Sequence, residues 1–148
     1  MKNSKKFAPV IIIMAKVPRE GSVKTRLRPF LNDVQCAELA VYFLKDAVVK
    51  AARITPNLIV AFTPNDGAKE IEKLIPKDVI LVKQTGKNLG ERMNSAFAFA
   101  EAKGFSPILM IGTDSPNFSS EYLTEALNLF EDLKTKIVLG AMRTAVII

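Results

Sequence analysis

Four short, unbroken apolar runs constrain this chain more than any other feature: Val10–Ala15, Leu58–Phe62, Val79–Val82 and Ile108–Ile111. A run that is apolar at every position suits a strand buried on both faces, as in a parallel sheet covered by helices. Between the runs the pattern changes to helical spacing. Asn32 followed by Gln35 predicts a capped start to a helix running to about Ala52. The turn-forming stretch Thr63–Gly67 closes the second run, and a short helix reaches Ile75, where Pro76 stops it. Asn88 with Glu91 predicts a third helix start, and Leu89, Met93, Ala96, Phe97 and Ala100 fall on one face of that helix. A fourth helix from about Ser119 turns Leu123, Leu127 and Phe130 inward, and Ile137–Leu139 begins a fifth strand. Repeated strand–helix–strand units of this size imply a Rossmann-like α/β domain, with a mostly parallel sheet between two helical layers.

The chain's 148 residues suit one domain with a real core. No apolar run approaches the ~20 residues that span a bilayer. Lys2, Lys5 and Lys6 precede Val10–Ala15, but that run is too short for a signal peptide and no small-residue cleavage site follows it. A soluble, cytoplasmic protein with no membrane span is expected. The single cysteine, Cys36, excludes an intrachain disulfide and falls on a helical position, where a packed thiol is expected. The absence of histidine removes Ser-His-Asp and Cys-His catalysis and histidine-bound zinc. Chemistry must run on carboxylates, Lys, Arg, hydroxyls or a carboxylate-bound metal.

The net charge of +6 is unevenly placed: Lys16, Arg19, Lys24, Arg26 and Arg28 crowd one segment, opposed only by Glu20. No aromatic RNA-binding signature or basic helix stripe accompanies them, so no nucleic-acid partner is expected. A basic loop fits the phosphates of a small molecule better. Open α/β sheets bind ligands beyond the carboxyl ends of their strands. Three unusual loops lie at such ends: Lys16–Arg28, Gln84–Arg92 and Gly112–Pro116.

Gly21-Ser22-Val23-Lys24-Thr25 falls short of a P-loop, because Val23 stands where a glycine must precede the lysine. What remains is a loop carrying Lys24, Arg26 and Arg28, either as diphosphate ligands or as a solvated basic surface. Asp114 follows a buried strand and precedes Pro116. It would either hold Mg²⁺ or Mn²⁺ shared with substrate phosphates, or it or Ser115 would cap the following turn. Asn88, Glu91 and Arg92 could grip a base or sugar, although capping alone explains the first two.

Met14-Ala15-Lys16-Val17-Pro18, continued by Gly21-Ser22-Val23-Lys24-Thr25-Arg26-Leu27, resembles the amino-terminal signature of a bacterial family of glycosyltransferase-like proteins. These have the GT-A fold of nucleotide-diphospho-sugar transferases and include the arsenosugar-biosynthesis-type glycosyltransferases. Leu89-Gly90-Glu91-Arg92-Met93 and Ile111-Gly112-Thr113-Asp114-Ser115-Pro116 resemble that family's next two signatures, in order. The resemblance implies strand order 3-2-1-4 for the first four strands. It also implies transfer of a sugar from a nucleotide-diphospho-sugar donor to an unknown acceptor. Lys16, Lys24, Arg26, Gly90 and Arg92 would bind nucleotide and phosphate, and Asp114 would be the catalytic, Mg²⁺- or Mn²⁺-binding residue. Cytidylyl- and guanylyltransferases resemble the Lys-Thr-Arg-Leu stretch too, so nucleotidyl transfer stands as the alternative. A non-catalytic nucleotide-binding module is a third reading.

The likeness breaks after Gly140, where an acidic-Gly-Gly-aromatic-aromatic motif is expected and Ala141–Ile148 stands instead. One choice of codons for Ala141–Ile148, read from its third base, encodes Asp-Ala-Asp-Gly-Gly-Tyr-Tyr. The expectation is therefore one domain over 1–148 that lacks its carboxyl-terminal part, with 141–148 a frameshifted tail. The alternative is an ordinary apolar last strand, Ala145–Ile148. A sheet that ends early would leave an apolar edge open to oligomer formation.

Overall fold

The computed structural model describes residues 7–132 and 137–140, and the tail expected to be frameshifted, 141–148, lies outside them. The sheet has strands β1 (Val10–Lys16), β2 (Leu58–Thr63), β3 (Ile80–Lys83) and β4 (Ile108–Gly112). All pairings are parallel and the order is β3-β2-β1-β4, as expected. The helices are α1 (Asp33–Ala52), α2 (Ala68–Glu72), α3 (Leu89–Ala102) and α4 (Ser120–Leu129).

β1 is central, and Val10 to Ile13 are wholly buried. Their alternation explains the unbroken apolar run. Ile11, Ile13 and Ala15 join one cluster with Leu44, Val48, Ile71 and Leu123, from α1, α2 and α4. Val10 and Ile12 face the other way and join Ala96 and Ala100 of α3. Two cores therefore lie on opposite faces of one sheet. The chain steps from β1 to β2 to β3 in one direction, then crosses back to β4. With crossovers of one hand, that reversal moves α3 to the opposite face from α1 and α2.

α1 starts on the predicted capping box: the Asn32 side chain accepts from the Gln35 amide, and the Gln35 side chain accepts from the Asn32 amide. Cys36, Ala37, Ala40, Leu44, Ala47, Val48 and Ala51 form its buried stripe. The Cys36 thiol is packed as expected, fully buried and 3.6 Å from the Lys24 carbonyl oxygen.

Three expectations need correction. Residues 137–140 form no strand, and Ile137 and Leu139 are exposed. A strand exists only through its ladder, and this segment pairs with no neighbour among the described residues. α2 ends at Glu72 rather than Ile75, and the chain tightens into a turn in which the Leu74 amide donates to the Ile71 carbonyl. Pro76 excludes helical geometry at the residue before it, so the helix closes earlier. Leu89 is exposed, because α3 begins beyond the carboxyl end of the sheet, where its first turn has no strand beneath it. Within the same predicted face Ala96 and Ala100 are buried, Phe97 packs on the core and Met93 is half-buried.

Candidate functional site

The order β3-β2-β1-β4 makes the gap between β1 and β4 the point where the chain reverses direction. Open α/β sheets bind ligands at such a reversal, beyond the carboxyl ends of the strands. Here the loops after β1 and β4 lead to α1 and α4 on one face of the sheet, and a narrow crevice lies between α1 and the β4 loop. The β1 loop carries the basic cluster, and the β4 loop carries Asp114. Met14 pairs in register with Gly112, so the two loops depart side by side.

The basic loop is folded rather than loosely solvated. Val17 and Val23 are buried, and Val23 packs with Ala37 and Ala40 of α1. Gly67 lies under Val17 so closely that a β-carbon there would fall 2.2 Å from Val17 Cγ2. Three of the five cations are taken up by the loop's own structure. Lys16 Nζ donates to the Ser22 carbonyl at 2.5 Å. Arg28 donates to the Gly21 carbonyl at 2.9 Å and to Asp33 at 3.0 Å. Arg19 forks between Asp66 at 3.1 Å and Glu70 at 2.5 Å, fastening the loop to the β2–α2 connection. The hydrogen bond from Arg19 lowers the Glu70 pKa, and the bond to Glu70 raises that of Arg19.

The two remaining cations are Lys24 and Arg26. Arg26 is exposed and has no partner among the described residues. Lys24 reaches across the crevice and its ammonium pairs with Asp114 Oδ1. That ammonium also lies 4.5 Å from the centre of the Phe43 ring, a cation–π contact with α1. Its backbone is in the left-handed region, at φ 51° and ψ 31°, immediately before the 3-10 turn Thr25–Leu27.

Asp114 does not cap the following turn; its carboxylate is 82% exposed and bonded to Lys24. α1 holds the rest of its loop. Lys50 Nζ donates to the Pro116 carbonyl at 2.6 Å and pairs with Asp46 at 2.7 Å. Between α1 and this loop lies a cleft of about 20 Å³, bordered by Phe43, Lys50, Thr113 and Pro116, enough for one water. Any larger ligand must sit on the open rim.

The third loop is devoted to starting α3. The Asn88 side chain accepts from the Glu91 amide at 2.9 Å, and Glu91 Oε2 accepts from the Lys87 amide at 2.7 Å. Arg92 donates to the Gly86 carbonyl at 3.1 Å, and Gly90 lies in the first helical turn. None of these bonds reaches Lys24 or Asp114. Gln84 makes the connection to β1: its buried amide nitrogen donates to the carbonyls of Ala61 at 2.8 Å and Ala15 at 3.2 Å. Sequence reading missed Gln84, Phe43 and Lys50. Each acts through a partner distant in sequence, and no local pattern marks such a pairing.

Among the described residues no three Asp, Glu, Cys or His side chains converge on one point. Asp114 offers a single open carboxylate. That donor set suits a Mg²⁺ or Mn²⁺ completed by phosphate oxygens and water, and not a closed structural metal. Among the described residues no helix is long and apolar enough to cross a membrane.

A family described as "Uncharacterized protein conserved in bacteria (DUF2064)" matches residues 46–143, more than half of the chain. No curated protein matches it. The chain is similar to a crystal structure described as a "putative nucleotide-diphospho-sugar transferase" from Desulfovibrio desulfuricans G20, with 28% identity and a TM-score of 0.78. The match covers 84% of this chain and 55% of that one, so the chain spans about half the length of the protein it resembles. The fold is Rossmann-like and of the GT-A-like nucleotide-diphospho-sugar transferase type.

Proposed function

We propose that the chain, which belongs to the DUF2064 family of proteins conserved in bacteria, carries the donor site of a metal-assisted glycosyltransferase. The reaction would move a sugar from a nucleotide diphosphate to an acceptor, and we place it in the cytoplasm. One observation carries this reading: Lys24 and Asp114, 90 residues apart in sequence, meet at the switch point between β1 and β4. The likeness to the Desulfovibrio protein supports the class of donor.

As the sugar departs, negative charge builds on the diphosphate. Cations placed in advance at that point stabilise the transition state more than the bound donor. Lys24 would exchange Asp114 for a phosphate oxygen. Arg26, exposed and unpartnered among the described residues, would grip the diphosphate with both arms of its guanidinium. Lys16, at the end of β1, adds a third positive charge from the same loop. Gly90 and Arg92 would line the nucleotide side, at the start of α3. Asp114 would hold Mg²⁺ or Mn²⁺, which when bound neutralises charge on the departing nucleotide.

The test is to incubate the protein with a panel of nucleotide-diphospho-sugars and Mn²⁺ and follow the nucleotide product. Release of nucleoside diphosphate that is lost in Lys24→Ala and Asp114→Ala is expected. Release of pyrophosphate from a nucleoside triphosphate and a sugar phosphate would assign nucleotidyl transfer instead. Donor binding unaffected by both substitutions would overturn the site.

A further inference from the structure

We infer that Lys24 is a built-in counter-ion for Asp114, which makes cation binding there conditional on a phosphate-bearing ligand; this rests on the donor site proposed above. The ammonium has a constructed seat. On one side is the Asp114 carboxylate, and on the other the Phe43 ring face, 4.5 Å away. The Lys24 side chain is only 14% exposed, whereas Asp114 is 82% exposed. The cation is thus the held partner and the carboxylate the open one. The Lys24 backbone is held as well, because its carbonyl accepts from the Leu27 amide at 2.8 Å and the Cys36 thiol at 3.6 Å. Lys50 secures the Asp114 loop through the Pro116 carbonyl.

A divalent cation arriving alone meets one carboxylate whose charge is already balanced, and no second acidic ligand converges there among the described residues. Mg²⁺ and Mn²⁺ ordinarily take one or two carboxylates together with phosphate oxygens. A diphosphate alters both terms. It brings oxygen ligands for the cation and a doubly charged acceptor for Lys24, whose ammonium then no longer competes for Asp114. The site is therefore loaded by the cation–diphosphate complex, and free metal ion is a poor ligand for it.

The experiment measures binding of Mn²⁺ alone by electron paramagnetic resonance, then repeats it with inorganic pyrophosphate. It uses wild type, Lys24→Met, Lys24→Gln, Asp114→Asn and the double variant Lys24→Met/Asp114→Asn, each checked for native circular dichroism. Wild type is expected to bind Mn²⁺ alone weakly, and both Lys24 variants about tenfold more tightly, since a unit positive charge is removed beside a divalent ion. The double variant loses that gain, which locates it at Asp114. Pyrophosphate strengthens Mn²⁺ uptake by wild type and does so far less in the Lys24 variants. Equal Mn²⁺ affinity in wild type and both Lys24 variants overturns the inference, while pyrophosphate-dependent uptake that is lost in Asp114→Asn leaves the donor site standing. If Asp114→Asn keeps that uptake, the donor site itself is wrong and the inference falls with it.

Discussion

Lys24 has a backbone φ of 51°, the one positive value at a non-glycine residue among those described. A lysine there costs about 1–2 kcal/mol relative to right-handed geometry, and such outliers cluster at ligand sites. Both Lys24 and Asp114 were visible in the sequence as unusual residues beyond apolar strands. Their contact was not, because only the return crossover to β4 brings the two loops together. Arg26 was nominated by the same loop, and of its five cations it is the one without a partner among the described residues. The remaining basic residues could not be sorted from the sequence, since their partners Asp66, Glu70 and the Ser22 carbonyl are set by folding. Arg26 has no ion pair to lose among the described residues. The Asp114 carboxylate is 82% exposed, so solvent screens its pairing with Lys24, which contributes only about 0–1 kcal/mol. Asp114→Ala and Arg26→Ala should therefore leave the urea midpoint nearly unchanged while abolishing or strongly weakening Mn²⁺-dependent donor binding by calorimetry. A large loss of stability in either variant would mark the residue as structural.

At the level of elements, the strands were legible because burial on both faces leaves no room for polar alternation. Helix starts were legible because caps are local. Helix ends and the fate of Leu89 and Ile137–Leu139 were not, since those depend on whether a neighbouring element covers them. The seating of the basic loop is a matter of contact between elements. Gly67→Ala would push a β-carbon into Val17. It should cost about 1–3 kcal/mol in a urea titration and also weaken donor binding; loss of stability with donor affinity intact would separate the two. The Arg19–Glu70 bond fastens the same loop. Arg19 lowers the Glu70 pKa, so the folded state binds this proton less readily than the unfolded chain. Its stabilisation is complete above the ordinary carboxylate range and is lost as pH falls through Glu70's lowered value. The melting-temperature gap between wild type and Glu70→Gln should be present at neutral pH and shrink as the pH falls below the ordinary carboxylate range. A gap independent of pH would show that the pair does not hold the loop.

Across the whole molecule, the strand order decides which loops meet. No single apolar run encodes that order; it follows from three crossovers and one reversal, and it places β1 at the centre with a core on each face. Ile12, wholly buried opposite α3, belongs to that central strand. Ile12→Ala should cost about 2–5 kcal/mol in the same titration, and a cost below 1 kcal/mol, on the order of a surface change, would contradict a two-sided core. The reversal also brings the basic loop and the Asp114 loop together in the β1–β4 crevice. A separate open cleft of about 450 Å³ lies at the β3 edge, between Glu72, Pro76 and Leu81, away from those loops. The most direct measurement is an amide chemical-shift map during titration with nucleotide-diphospho-sugars and a diamagnetic Mg²⁺ background. Shifts centred on residues 16–28 and 112–116 are predicted. Shifts centred instead on the β3-edge cleft, with Lys24 and Asp114 undisturbed, would contradict the donor site.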